Sequence, residues 1–172
     1  GKASAMARPP PRKNCAEWKR HSLSAYILFS HAVITGKEAL NEQAAVLDEL
    51  AEACRHKPLG IVAELNGSAR SLSIDRDFFQ GISIRSEFHN DGPRQFTHRI
   101  VPEGLSLESC MELLQKAHKK DPSFQLGYVP DCDGDRGNLV FYDKTLGRAR
   151  PLEAQEVFSL SCLAELAGLA GL

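Results

Sequence analysis

Apolar residues near the N-terminus recur with a helical period. Between residues 15 and 35 they include Trp18, Leu23, Ile27, Phe29 and Val33, which predicts a helix. Asn14 is placed to cap its start and Gly36 to end it. A second helical stretch, residues 38–55, sets Leu40, Ala44, Leu47, Leu50 and Cys54 on one stripe, and Pro58 blocks its continuation. The period then changes. Residues 59–65 (LGIVAEL) are a short apolar run of the buried-strand type, broken by the turn signal Asn66-Gly67-Ser68. Residues 73–80 suit a short helix, with Ser73 or Asp75 near its start. Residues 82–88 (ISIRSEF) alternate apolar and polar side chains, as a strand does. After the loop 90–93, Ser106 precedes a helix over 107–119 whose Leu107, Cys110, Leu114 and Ala117 face inward. Two more strands follow at 124–129 and 138–142, then a hairpin turn at 144–147 and a closing helix at 152–167.

The order α-α-β-(α)-β-α-β-β-α predicts an α/β protein. The expected architecture is three-layer α/β/α with a mixed, mainly parallel four-stranded sheet, its last two strands antiparallel. Residues 1–14, with Pro9-Pro10-Pro11, read as a linker or frayed terminus. Residues 15–56 form a helical segment packing on or leading into the domain, and residues 57–172 form the α/β domain itself.

Composition narrows the function classes. The chain has 172 residues, 42% hydrophobic and 25% charged, with a formal net charge of −1. These are the proportions of an ordinary globular domain. The near-neutral balance leaves no basic footprint for nucleic acid or an acidic membrane surface. No apolar run approaches the roughly 20 residues that span a bilayer, and the start has no secretory hydrophobic region. Five widely spaced cysteines with no CxxC pair fit a reducing cytoplasm. Cys54, Cys110 and Cys162 fall in helical patterns, where a free cysteine acts as a small hydrophobe.

The candidate chemistry lies in Asp131-Cys132-Asp133-Gly134-Asp135. Three carboxylates at alternate positions around a flexible glycine form an oxygen-rich claw of the kind hard divalent cations take. A solvated acidic turn uses the same residue types, so both readings stand. A calcium EF-hand does not, because Arg136 and Tyr142 occupy the positions that need Gly and Glu. Arg136 suits a phosphate or carboxylate held in two-point fashion, or a salt bridge to a loop Asp. Residues 64–70 read as a structural turn, and His98, Arg99 and residues 118–120 as solvated. The carboxylates beside Cys132 disfavour its thiolate.

The segment 131–136 resembles the DGDxDR metal loop of the α-D-phosphohexomutases, the phosphoglucomutase/phosphomannomutase superfamily. All three Asp and the Arg are in place, with Cys132 and Gly134 at spacer positions. Residues 59–68 (LGIVAELNGS) are similar to the strand and Asn-Gly turn opening that family's second domain. Val101-Pro102-Glu103 and the helix after it resemble its Pro-x-Pro-Glu segment, and residues 138–143 and 152–166 its later strand and closing helix. The resemblance implies that Asp131, Asp133 and Asp135 hold Mg²⁺. It also implies that Arg136 faces a phosphoserine and the reacting end of a hexose phosphate. The family's T-x-S-H-N-P, GExSG and R-x-S-G-T-E-P loops are not found; Ser30-His31 lacks the Asn-Pro and lies in a helical pattern. The chain is therefore expected to be the second domain of a larger cytoplasmic enzyme, whose other domains and hexose phosphate substrate are its partners. Two alternatives remain: a free-standing divalent-metal-binding or interaction domain, and a metal-dependent phosphatase with an Asp nucleophile.

Overall fold

The computed structural model describes residues 14–170. Of the linker expected over 1–14, all but Asn14 lies outside the described residues. Contacts divide the chain into two units, residues 1–47 and 48–172. The first helix, α1 (Cys15–Thr35), ends where expected: Gly36 takes φ 64° and its N–H donates to the Ala32 carbonyl. Asn14 stands at the N-cap position but makes no side-chain cap hydrogen bond, because its own backbone is already near the helical region. None of the α1 residues is buried, and Trp18, Phe29 and Val33 are exposed.

The second helix, α2 (Leu40–His56), has residues 40–47 in the first unit and 48–56 in the second. It buries Gln43, Ala51 and Cys54, while Leu40, Ala44 and Leu50 stay exposed, so of the expected apolar stripe Cys54 alone is buried. Gln43 is buried because its amide donates to the carbonyls of Lys37 and Glu38 just before the helix.

The second unit is built on one five-stranded sheet. Its strands are β1 (Gly60–Glu64), β2 (Arg85–His89), β3 (Phe124–Pro130), β4 (Gly137–Asp143) and β5 (Arg148–Pro151). They lie in the order β2-β1-β3-β4-β5. The central β1 pairs parallel with β2 and β3, whereas β3–β4 and β4–β5 are antiparallel. The expected four-stranded, mainly parallel sheet is thus corrected to five strands with parallel and antiparallel pairings in equal number. The missed strand, Arg-Ala-Arg-Pro, has no apolar alternation to announce it. It survives at the sheet edge, where a proline is tolerated, and Gln115 accepts the Ala149 N–H. The hairpin turn before it forms as expected, with Asp143 accepting the N–H groups of Thr145 and Leu146. Strand β2 starts three residues later than the alternation suggested, because Ile82 and Ile84 donate back to Phe78 and Phe79 of the preceding helix.

Helices lie against both faces of the sheet. A 3-10 turn (Gly104–Leu107) leads into α4 (Glu108–Lys120). Leu107, Cys110, Leu114 and Ala117 are all buried, as their spacing predicted, and pack with Val62, Val129 and Val140. Burial, helped by the charge of Glu64, pushes the Cys110 thiol up to about 12. On the opposite face lies α3 (Asp75–Gly81), whose Phe79 meets the rings of Phe88 and Tyr128. Tyr128 follows Gly127, which sits against Cys110, so the alternation of the strand sends the tyrosine to the other side. The last helix, α5 (Ala154–Ala170), leaves Phe158, Leu160, Leu163 and Leu166 exposed. All five cysteines are free. Cys54 and Cys110 are buried, but Cys162 is exposed and does not act as a core residue. Among the described residues no helix is long and apolar enough to cross a membrane.

Candidate metal centre

The sheet order creates a place for a ligand. From β1 the chain goes to β2 on one side, while β3 lies on the other, so the loops leaving β1 and β3 part company above the sheet. Residues 65–74 leave β1 there and residues 131–136 leave β3.

The acidic loop is a closed hairpin. The Asp131 N–H donates to the Arg136 carbonyl at 2.9 Å, one step beyond the last β3–β4 pair, Pro130 with Gly137. Asp131 is buried, and both of its carboxylate oxygens accept hydrogen bonds within the loop. Its Oδ1 accepts the N–H groups of Gly134 (3.0 Å) and Arg136 (3.3 Å), and its Oδ2 accepts Arg136 Nε at 2.9 Å. Burial alone would raise the Asp131 pKa; the N–H groups of Arg136 and Gly134 and the guanidinium outweigh it and hold the carboxyl below its ordinary range.

Asp133 and Asp135 are exposed. One carboxylate oxygen from each of the three Asp lies within 4.8 Å of the others. The charge of Asp133, then partial burial and the charge of Asp131, push the Asp135 carboxyl above its ordinary value. Arg136 reaches Asp135 at 3.7 Å but is 72% exposed, which leaves its guanidinium largely in water. The expected site residues are therefore brought together, and Arg136 makes the salt bridge that was one of its two readings.

The loop is propped from the β1 side. Cys132 accepts the Ala69 N–H at 2.9 Å. Gly134 takes φ 79° over Arg70, and a Cβ there would come within 2.7 Å of Arg70 Cγ. Arg70 is itself fixed by two bonds to the buried Asp75, from Nε at 2.9 Å and Nη2 at 2.5 Å. Tyr128 donates to the same carboxylate at 2.8 Å. Burial, then the Asp75 charge, push the Tyr128 phenol upward, so it stays a donor. Asp75, expected as a helix-start residue, does open α3, but its larger task is holding Arg70 under the loop.

A second carboxylate cluster sits at the end of β1, within the stretch 64–70 that the sequence marks as a structural turn; its partner His98 lies outside that stretch. Glu64 is fully buried. It accepts Asn90 Nδ2 at 2.6 Å and the Asn66 N–H at 3.3 Å on Oε1, and it meets His98 Nε2 on Oε2. His98 Nδ1 faces the Arg99 carbonyl at 2.8 Å, so both ring nitrogens lie against oxygen atoms. Asn66 completes the network. Its amide donates to the His98 carbonyl and its oxygen accepts the N–H groups of Thr97 and His98. His98 is thus drawn into the protein, not solvated as expected; only 14% of its side chain is exposed. His118 is likewise held, stacked on Tyr142 and bonded to the Phe124 carbonyl. The available signal was a lone charged residue inside the apolar run 59–65, which demands a partner when buried.

The donor set of the acidic loop, three carboxylates with no nitrogen or sulfur ligand, suits a hard divalent cation. Oδ2 of Asp131 carries one accepted bond and keeps a lone pair for a cation. No protein-family model matches the chain, and no curated protein matches it.

Proposed function

We propose that this chain supplies the magnesium-binding loop of a phosphohexomutase of the phosphoglucomutase/phosphomannomutase type, acting on a hexose phosphate in the cytoplasm. The observation that carries this reading is the convergence of Asp131, Asp133 and Asp135 within 4.8 Å at the ligand end of the sheet. Arg136 stands beside them. The repulsion that raises the Asp135 pKa is what a cation would relieve.

In this reading the three carboxylates hold Mg²⁺, which neutralises charge on the oxygens of a phosphoryl group in transfer. The residues of the chain do the positioning. Asp131, locked by two backbone N–H groups, keeps its side chain aimed into the loop before any cation arrives. Arg136, now on Asp131, offers its exposed guanidinium to the phosphoryl oxygens. The nucleophile and the sugar-binding groups belong to the other domains of the parent enzyme, so the segment alone binds metal without turning over substrate.

Calorimetric titration with Mg²⁺ tests the loop. The wild-type chain should give a saturable signal that Asp133→Ala loses. Absence of metal dependence in both proteins, and in the full-length enzyme, would sink the assignment. Mutase assays of the full-length enzyme with glucose and mannose phosphates then decide the reaction; metal binding without turnover of either would favour a divalent-metal-binding domain.

A further inference from the structure

The near-neutral net charge hides a segregation along the chain. Residues 1–20 hold six Lys or Arg and one Glu, so the remainder of the chain is acidic. The sequence then turns apolar: residues 23–35 (LSAYILFSHAVIT) contain no Lys, Arg, Asp or Glu. Lys19 and Arg20 lie in the second turn of α1, and the apolar stretch completes that helix.

Helical spacing sorts α1 into two faces. Trp18, Ala25, Phe29 and Val33 fall at i, i+7, i+11 and i+15 and share one side. Glu17, Arg20, Ser24, His31 and Thr35 fall on the other. The fold does not use the apolar side. α1 buries no residue, and Trp18, Phe29 and Val33 are 55%, 65% and 62% exposed. From Trp18 to Val33 the stripe runs about 22 Å along the helix, at about 1.5 Å per residue. A continuous apolar stripe of this kind marks a surface that something covers.

The charge pattern says what covers it. A basic cluster running into an apolar helix face matches a surface that is acidic outside and apolar within, which is the headgroup boundary of an acidic bilayer. A second copy of α1 offers the apolar stripe but no acidic match, since its one carboxylate, Glu17, lies on the far side. Trp18 stands where the basic and apolar parts meet, the level at which tryptophan rings settle in a bilayer. The long stems of Lys19 and Arg20 can carry their charges out to the headgroups. The helix does not span: no described helix is long and apolar enough to cross a membrane.

We propose that α1 docks this chain on an acidic phospholipid surface. The helix axis lies in the plane of the interface. Trp18, Phe29 and Val33 turn into the acyl boundary, and Lys19, Arg20 and the basic residues before them face the lipid phosphates. The acidic loop 131–136 plays no part, so this inference stands apart from the mutase reading.

Trp18 is the only tryptophan of the chain, so its emission reports on this face alone. The probe is vesicles of phosphatidylglycerol and phosphatidylcholine in roughly a one-to-two ratio, with pure phosphatidylcholine as the neutral surface. The acidic vesicles should shift Trp18 emission to the blue with saturation and carry the chain with them on flotation. The neutral vesicles should bind at least about tenfold more weakly, and salt at about 0.5 M should weaken the acidic ones. Phe29→Gln, at an exposed position, should weaken binding about tenfold, the worth of one aromatic ring kept in water. Lys19→Gln combined with Arg20→Gln should weaken it at least as much. The proposal is overturned if acidic vesicles leave Trp18 emission unchanged, if neutral vesicles bind as tightly, or if Phe29→Gln binds as wild type does. It is also overturned if the blue shift appears without vesicles and grows with protein concentration, for then a second copy covers the face.

Discussion

Two groups of carboxylates stand at the same end of one sheet, and the chain treats them in opposite ways. Glu64, at the end of β1, is fully buried, and His98, Asn90 and the Asn66 backbone supply its partners. Asp131, Asp133 and Asp135, after β3, turn their charges toward one another, and only Asp131 has backbone donors. A buried charge with a full set of donors is complete, and what it does is hold two segments in register. A cluster of like charges with one guanidinium among three carboxylates is incomplete, and its energy falls when a cation enters. Burial alone therefore does not separate a structural carboxylate from a ligand-seeking one. The number of donors the chain itself provides does.

The largest effect should come from breaking the complete site. Glu64→Ala leaves His98, Asn90 and the Asn66 N–H without their acceptor in the interior. It should lower the unfolding free energy by about 3 kcal/mol or more, read from urea denaturation. Glu64→Gln keeps an acceptor for Asn90 and can donate to a neutral His98, so it should lose less. A loss below about 1 kcal/mol for the alanine variant would mean that the network is not the brace described here. Next comes the prop between the two sites. Gly134→Ala puts a side chain at φ 79° and against Arg70. It should lower stability by about 1–2 kcal/mol and weaken Mg²⁺ binding together, because the loop cannot keep its shape. Weaker metal binding with unchanged stability would show that the loop re-forms around the new side chain.

The difference in how legible these two sites were has a physical origin. The acidic loop is local, since five consecutive residues carry the chemistry and one glycine bends them. The buried face of α4 was legible too, because residues 107, 110, 114 and 117 follow the helical spacing and the sheet behind them is apolar. Glu64 and His98 are 34 positions apart. Nothing local marks His98, so only the fold joins them. Strand β5 is held by its neighbour and by Gln115, not by its own pattern. The stripe on α2 failed for a related reason: helical spacing says which residues share a side, but the packing partner decides which side is buried. The phosphohexomutase reading rests on the local loop and on the order of the elements around it. The fifth strand extends the antiparallel side of the sheet and leaves the parallel β2-β1-β3 core beneath the loop unchanged.

The incomplete site predicts the reverse sign. In the absence of metal, Asp133→Asn should leave stability unchanged or raise it by up to about 0.5 kcal/mol, because it removes a repulsion and no internal donor depends on it. Carbon NMR should show the Asp135 pKa falling toward its ordinary value in this variant, since the Asp133 charge is the main reason it is raised. A clear loss of stability would place Asp133 with Glu64, as a structural residue.

Asp121 separates donor count from burial, with the smallest effect. It follows α4 and is partly exposed, yet it is well supplied. Its Oδ1 accepts the Ser123 N–H at 3.0 Å and its Oδ2 accepts Arg85 Nη1 at 2.6 Å. The Ser123 N–H first, and Arg85 after it, hold its pKa below the ordinary carboxylate value. A carboxyl with a depressed folded pKa stabilises the fold above its unfolded pKa, about 3.9, and loses that contribution as pH falls through the folded value. Urea denaturation of wild type and Asp121→Asn should therefore differ slightly and constantly at neutral pH. The gap should begin to close only below about pH 4. If instead the gap closes near neutral pH, its source is not the Asp121 carboxyl, and donor supply outside the core does not stabilise a carboxylate in this fold.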